Sequence, residues 1–260
     1  MGRADPPETL IRADGIAIAY RRVAADASDR RPGILFLPGF GSDMTGTKGT
    51  ALDAWARSRG QALLRFDYSG HGQSGGAFGD GTIGRWTEDA LAVLDRLTAG
   101  PQILIGSSMG GWIMLLTALA RPTRIAGLVG IAAAPDFTEE LMWARMPAPV
   151  RERLMRDGAI LEPSRYGEAP TQISRALIED GRRHLLLHGA IDIRCPVRLL
   201  HGMADPDVPW QTSLRLAERL RGGDVTLTLI KGGDHRLSRE QDLRRMLAAI
   251  EDLSQGWDTR

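Results

Sequence analysis

The feature that most limits what this chain can fold into is residues 102–112, Q-I-L-I-G-S-S-M-G-G-W. A short apolar run, Ile103-Leu104-Ile105, leads directly into Gly106-Ser107-Ser108-Met109-Gly110, and an apolar helical pattern follows. That is G-x-S-x-G in the context of strand, tight turn and helix, the setting of a nucleophile elbow. Such an elbow holds its serine in a strained backbone conformation. Gly106 and Gly110 carry no side chain, so strand and helix can come close on either side of it. The expected result is the Ser108 hydroxyl held above a sheet, with a helix N-terminus beneath it. A second match, Gly72-Gln73-Ser74-Gly75-Gly76, sits in a run of chain breakers. It has no strand directly before it and no helix directly after, so the context selects Ser108.

Strand and helix patterns alternate around the elbow. Residues 16–23, 34–37, 62–68, 103–105, 125–133, 197–202 and 225–230 read as strands. Residues 45–58, 82–97, 109–120, 210–220 and 239–253 read as helices. This alternation implies an α/β fold with a mostly parallel central sheet flanked by helices. Residues 136–193 break the rhythm. They carry helical patterns, no clear strand, and Pro147, Pro149, Pro163 and Pro170. The segment is too long for a loop. It is expected to be a small helical cap insertion over the carboxyl ends of the strands. At 260 residues the chain suits one large domain, 1–260, with that insertion inside it.

Net charge is +1, from 33 basic and 32 acidic residues, with no basic stripe, which argues against a nucleic-acid partner. The lone cysteine, Cys195, excludes an internal disulfide and a cysteine-based metal cluster, and fits a reducing compartment. The stretch Met1-Gly2-Arg3-Ala4-Asp5-Pro6-Pro7 lacks the apolar core of a signal peptide, and no run reaches membrane-spanning length. A cytoplasmic protein without a membrane span is expected.

A serine hydroxyl needs a base to take its proton. Among His71, His184, His188, His201 and His235, the last follows the strand at 225–230 and precedes the final helix. That position yields the chain order serine, acid, histidine. His201 closes an apolar strand and reads as a structural strand-end residue. His71 lies in a glycine-rich loop and is a candidate to line the site. For the acid, the loop after residues 197–202 offers Asp205 and Asp207. Asp205 is favoured by its distance from the strand end and by Pro206, which restricts it to extended geometry. Asp136 is the outside candidate. The two oxyanion donors are expected to be the backbone N–H groups of Met109, directly after the nucleophile, and of Phe40, in the loop after residues 34–37. The run Gly70-His71-Gly72-Gln73-Ser74-Gly75 fits G-x-G-x-x-G, but no helix opens there, so it is not read as a dinucleotide site.

Three further segments carry a family resemblance: P-G-F-G-S-D-M-T-G-T-K at 38–48, R-F-D-Y-S-G-H-G at 65–72, and H-G-M-A-D at 201–205 with Val208-Pro209-Trp210. With the elbow, they make the chain resemble the α/β-hydrolase superfamily over about residues 16–253. Within it, they are similar to the palmitoyl-protein thioesterase and acyl-glucuronide esterase group and its bacterial relatives. The resemblance implies a Ser108-Asp205-His235 triad, with no metal and no cofactor. It also implies cleavage of a carboxylic ester or thioester in a small molecule or acylated protein, through an acyl-enzyme. An acyltransferase or C–C bond hydrolase on the same triad, or a non-catalytic ligand receptor, are the alternatives; a dehalogenase would need an acid at the elbow. Met142, Trp143 and Met146 fall near i, i+3 and i+4 spacing in the insertion. They are expected either to seal the insertion onto the main domain or to line an acyl pocket together with Trp112.

Overall fold

Eight strands of this computed structural model, which describes residues 6–163, 170–255 and 257, form one sheet. In chain order the elements begin with β1 (Glu8–Ile11), β2 (Ala17–Val23), β3 (Gly33–Leu37), α1 (Thr47–Arg59), β4 (Leu63–Phe66), α2 (Ile83–Leu97), β5 (Gln102–Ser107), α3 (Met109–Ala120) and β6 (Ile125–Ile131). They continue with α4 (Ala148–Asp157), β7 (Ala159–Glu162), β8 (Thr171–Ser174), α5 (Arg175–Gly181), β9 (Val197–Gly202), α6 (Gln211–Arg219), β10 (Val225–Ile230) and α7 (Glu240–Gln255). The sheet runs β1-β2-β4-β3-β5-β6-β9-β10. It is parallel from β4 to β10, with β1 and β2 added antiparallel at one edge.

The apolar runs bury both faces of the sheet because successive strand side chains point to opposite sides. Leu35, Leu37 and Leu104 join Trp86, Val93, Ile113 and Leu115 of α2 and α3 on one face. Ile34, Phe36, Ile103 and Ile105 join Leu52 of α1 and Met246 and Ile250 of α7 on the other. Chain direction across the sheet reverses at β3, which pairs with β4 on one side and β5 on the other. Loops leaving β3 and β5 therefore diverge at their carboxyl ends, where open α/β sheets form a crevice.

Two strand assignments differ from the sequence reading. β1 was not expected; its four residues are too few to establish a period. The segment 136–193 is not wholly helical: β7 and β8 form an antiparallel hairpin, with Ile160 opposite Ile173. Both side chains are buried against Leu154 of α4 and Ile178 of α5. Each strand has only one buried apolar anchor at this pair, too weak a pattern to register as alternation. Residues 164–169 of this segment, like 1–5, lie outside the described residues. No helix among the described residues is long and apolar enough to cross a membrane.

Candidate active site

The turn between β5 and α3 holds Ser108 at φ 53° and ψ −119°. A non-glycine residue at positive φ costs on the order of 1–3 kcal/mol and persists only where its surroundings enforce it. Here the Ser108 N–H donates to the Ile131 carbonyl at 2.9 Å, and the Ser108 carbonyl accepts from Gly111 and Ala134. The flanking glycines are required by space. A Cβ on Gly106 would fall 2.4 Å from the Gly110 carbonyl oxygen, and one on Gly110 would fall 2.0 Å from that of Leu37.

Two loops meet this serine from the far half of the sheet. Gly202 ends β9 so close to the loop after β10 that a Cβ there would lie 2.2 Å from the Gly233 carbonyl oxygen. The contact brings Asp205 and His235 together. His235 Nε2 lies 3.0 Å from Ser108 Oγ, and His235 Nδ1 lies 2.7 Å from Asp205 Oδ2. The other oxygen, Asp205 Oδ1, accepts from the backbone N–H groups of Asp207 at 2.8 Å and Val208 at 2.9 Å. Burial alone would raise the Asp205 pKa, but hydrogen bonds from His201 and His235, and from the Val208 backbone, outweigh it. The carboxyl is held well below the usual range and is ionised. Asp207 thus contributes its backbone N–H to the acid. Asp136 stands apart: its carboxylate accepts from the N–H groups of Leu186 and Leu187, both at 2.8 Å.

The loop after β3 forms the opposite wall. Gly39 passes so close that a Cβ there would lie 3.4 Å from Ser108 Cβ. Among the described residues neither the Phe40 nor the Met109 N–H has a protein acceptor. Next to Phe40, the Gly41 N–H donates to His71 Nε2 at 3.1 Å, while His71 Nδ1 lies 3.2 Å from the Ser69 carbonyl. These partners require the tautomer with the proton on Nδ1. Burial, partly offset by the Ser69 carbonyl and Asp43, lowers the His71 pKa to about 4, so the ring is neutral at pH 7. The Phe40 ring packs against Phe78, Trp86 and Phe137.

Beside Ser108 lies a cavity of about 260 Å³, with Pro38, Phe40, Thr47, Lys48 and His235 among its walls. Burial, then the nearby Arg236 charge, lowers the Lys48 pKa to about 8. Its Nζ donates to the Arg236 carbonyl at 2.5 Å, tying α1 to the loop that carries His235. Sequence reading missed this tie, the His71 anchor and the contact of His201 with Asp205 at 3.2 Å. The four-residue spacing of His201 and Asp205 was the one local signal, and it served equally for a strand-end residue.

The pocket-lining expectation is corrected. None of Trp112, Met142, Trp143 and Met146 lines this cavity. Trp112 is fully buried and donates its indole N–H to the His184 carbonyl at 3.1 Å. Met142, Trp143 and Met146 pack on the hairpin cluster of Leu154, Ile160, Ile173 and Ile178. The Trp143 ring is covered by Arg182 and Arg151, at 4.6 and 5.2 Å. Met142, Trp143 and Met146 do share a face, and the Met146 N–H reaches the Met142 carbonyl four residues back at 3.1 Å. Spacing along a helix does not say which surface that face meets, and here it meets the hairpin. Ser74, in the second G-x-S-x-G, donates to the Asp67 carbonyl and accepts from the Ala19 N–H.

Among the described residues, the grouping able to offer three metal-ligating atoms is Asp205, Asp207 and His235. Asp205 and His235 are engaged in the hydrogen bonds just described, so a cation there would compete with them.

Comparison with known proteins agrees with this architecture. Residues 34–249 match the model of the alpha/beta hydrolase family. The chain is 43% identical over 237 residues to mouse mitochondrial palmitoyl-protein thioesterase ABHD10, covering 91% of this chain and 78% of that protein. The solved structure of mouse alpha/beta hydrolase domain-containing protein 10 superposes with a TM-score of 0.88 at 40% identity, covering 97% and 100%. A chain from Agrobacterium vitis S4, described only as a hydrolase, superposes with a TM-score of 0.90 at 48% identity, covering 96% and 100%. The chain belongs to the alpha/beta hydrolase family and is a hydrolase.

Proposed function

We propose that this alpha/beta hydrolase cleaves carboxylic esters or thioesters through an acyl-enzyme on Ser108, with His235 as base and Asp205 as its acid partner. The observation that carries the reading is the unbroken run of contacts Ser108 Oγ–His235 Nε2 at 3.0 Å and His235 Nδ1–Asp205 Oδ2 at 2.7 Å. His235 takes the Ser108 proton as Oγ attacks the acyl carbonyl. The ionised Asp205 stabilises the imidazolium and holds Nε2 toward the serine. The N–H groups of Phe40 and Met109 donate to the oxyanion, and their lack of protein acceptors supports that role. The imidazolium then gives up that proton to the departing alcohol or thiol, which leaves His235 neutral. His235 next activates water, which releases the acid and restores Ser108.

The mouse relative's name, a palmitoyl-protein thioesterase, brings thioesters and acylated proteins into the proposed range. Residues 136–193 act in this reading as a cap; Arg145 reaching the Asp207 carbonyl at 3.4 Å supports that placement. The lone Cys195 fits any reducing compartment; a cytoplasmic setting stays part of the proposal, and the mouse relative is named as mitochondrial.

The test is fluorophosphonate labelling followed by peptide mapping, with p-nitrophenyl esters and acyl-thioesters of graded chain length. Labelling of Ser108 with release of free acid is expected. Absence of both sinks the proposal, and acyl transfer to an added alcohol in preference to water moves it to an acyltransferase.

A further inference from the structure

His201 is fully buried at the end of β9, and Ser213 beside it on α6 is buried as well. A buried imidazole is costly unless both nitrogens are satisfied. Nε2 faces two oxygens, the Val208 carbonyl at 3.0 Å and Asp205 Oδ2 at 3.2 Å. Neither the carbonyl nor the ionised carboxylate carries hydrogen, so the proton sits on Nε2 and is shared between them. Nδ1 lies 2.6 Å from Ser213 Oγ. In the neutral ring Nδ1 is then the acceptor, and the Ser213 hydroxyl donates.

The oxygen that His201 approaches is Asp205 Oδ2, the same one that accepts from His235 Nδ1 at 2.7 Å. The second partner of His201 is the carbonyl of Val208, whose own N–H donates to Asp205 Oδ1 at 2.9 Å. His201 therefore grips the carboxylate directly at one oxygen, and through Val208 at the other. A residue that only closed the strand would need no such pairing with the acid loop.

We propose that His201 and Ser213 are positioning residues of this site: Ser213 fixes the His201 ring, and His201 sets the orientation and charge of the Asp205 carboxylate that faces His235. The proposal rests on the ester- or thioester-cleaving reading for its kinetic consequence, and not for its effect on the His235 titration. Other charged groups around the pair are Asp207 in the acid loop, Asp234 and Arg236 on either side of His235, Lys48 at the Arg236 carbonyl and Arg145 at the Asp207 carbonyl. All of them stay in place in the variants below.

The experiment compares His201→Leu, His201→Gln and Ser213→Ala with the parent chain. In His201→Leu the donor is gone, and kcat falls on the order of 10- to 100-fold, the worth of one hydrogen bond to a charged group. KM for p-nitrophenyl acetate stays within about twofold, because the lost contact is remote from substrate. With one donor fewer, the carboxylate becomes the better partner of an imidazolium. The acid limb of kcat/KM therefore moves to higher pH. His201→Gln returns an N–H near the Nε2 position and recovers most of both effects. Ser213→Ala gives a smaller step in the same direction, and carries the test if His201→Leu does not fold. Imidazole NMR titration of His235 in a Ser108→Ala background reads the same shift without turnover. An unmoved His235 titration in His201→Leu and Ser213→Ala overturns the proposal, as does a His201→Gln variant no better than His201→Leu. If His235 shifts while the parent chain cleaves no ester or thioester, the positioning role stands and the proposed function falls.

Discussion

Gly106-Ser107-Ser108-Met109-Gly110 and Gly72-Gln73-Ser74-Gly75-Gly76 spell the same five-residue pattern, yet the molecule uses them in opposite ways. In the first, a strand and a helix clamp the serine at positive φ and leave its Oγ to His235. In the second, the chain turns through residues 68–76 and spends the hydroxyl on the backbone. Ser74 Oγ lies 2.8 Å from the Ala19 N–H and 2.6 Å from the Asp67 carbonyl. The motif supplies only the small residues that permit a sharp bend. In the proposed mechanism, what leaves Ser108 available to react is regular structure on both sides, which prevents the hydroxyl from satisfying itself locally.

The hardest test of this contrast is Ser108→Ala against Ser74→Ala. Ser108→Ala is expected to abolish turnover and fluorophosphonate labelling while the melting temperature stays near that of the parent. Labelling that survives in Ser108→Ala, or maps to Ser74, would erase the distinction.

A second comparison probes what the elbow serine depends on. Asp205→Asn is expected to lower kcat on the order of 10⁴-fold, because the amide no longer holds the imidazole tautomer or balances its charge. Asp207→Asn keeps the backbone N–H that donates to Asp205, and is expected to cost less than about tenfold. Equal losses in steady-state assays would return Asp207 to candidacy.

The surrounding glycines sharpen the contrast at the level of stability. Gly110→Ala forces a Cβ to 2.0 Å from the Leu37 carbonyl oxygen, where neither backbone can retreat without opening the sheet. About 3 kcal/mol or more of destabilisation is expected, at the upper end for overpacking. Gly75→Ala meets nothing nearer than the Ala17 nitrogen at 3.5 Å, and should cost below about 1 kcal/mol. Urea denaturation midpoints decide between them, and similar values would mean that the two glycine settings are equivalent. The smallest effect on turnover is expected from Ser74→Ala on its own. It should keep turnover within about twofold and lose about 1–2 kcal/mol of stability from two unmatched backbone groups. A large loss of turnover would show that the loop after β4 shapes the site through this serine.

The inserted segment marks where sequence reading weakened. Its helical patterns were visible, but the β7–β8 hairpin was not, because one cross-strand pair, Ile160 and Ile173, supplies most of its burial. The methionine and tryptophan stripe looked like a candidate pocket wall under a 3.6-residue period. The stripe does form one face, but the tertiary packing sets that face on the hairpin and away from the cavity beside Ser108.

What the sequence determined by itself was the alternating α/β order and the position of the elbow, with His235 and Asp205 as the favoured partners of Ser108 ahead of Asp207 and Asp136. Each of these rests on local signals: apolar runs of strand length, glycines at a tight turn, and loops directly after strands. Only the tertiary structure decided which groups surround those three. The His71 ring under Gly41, the Lys48 tie to Arg236 and the His201–Ser213 pair behind Asp205 join segments that the chain keeps apart. A buried hydrogen bond depends on which surfaces the packed sheet brings within about 3 Å, a matter no linear spacing encodes.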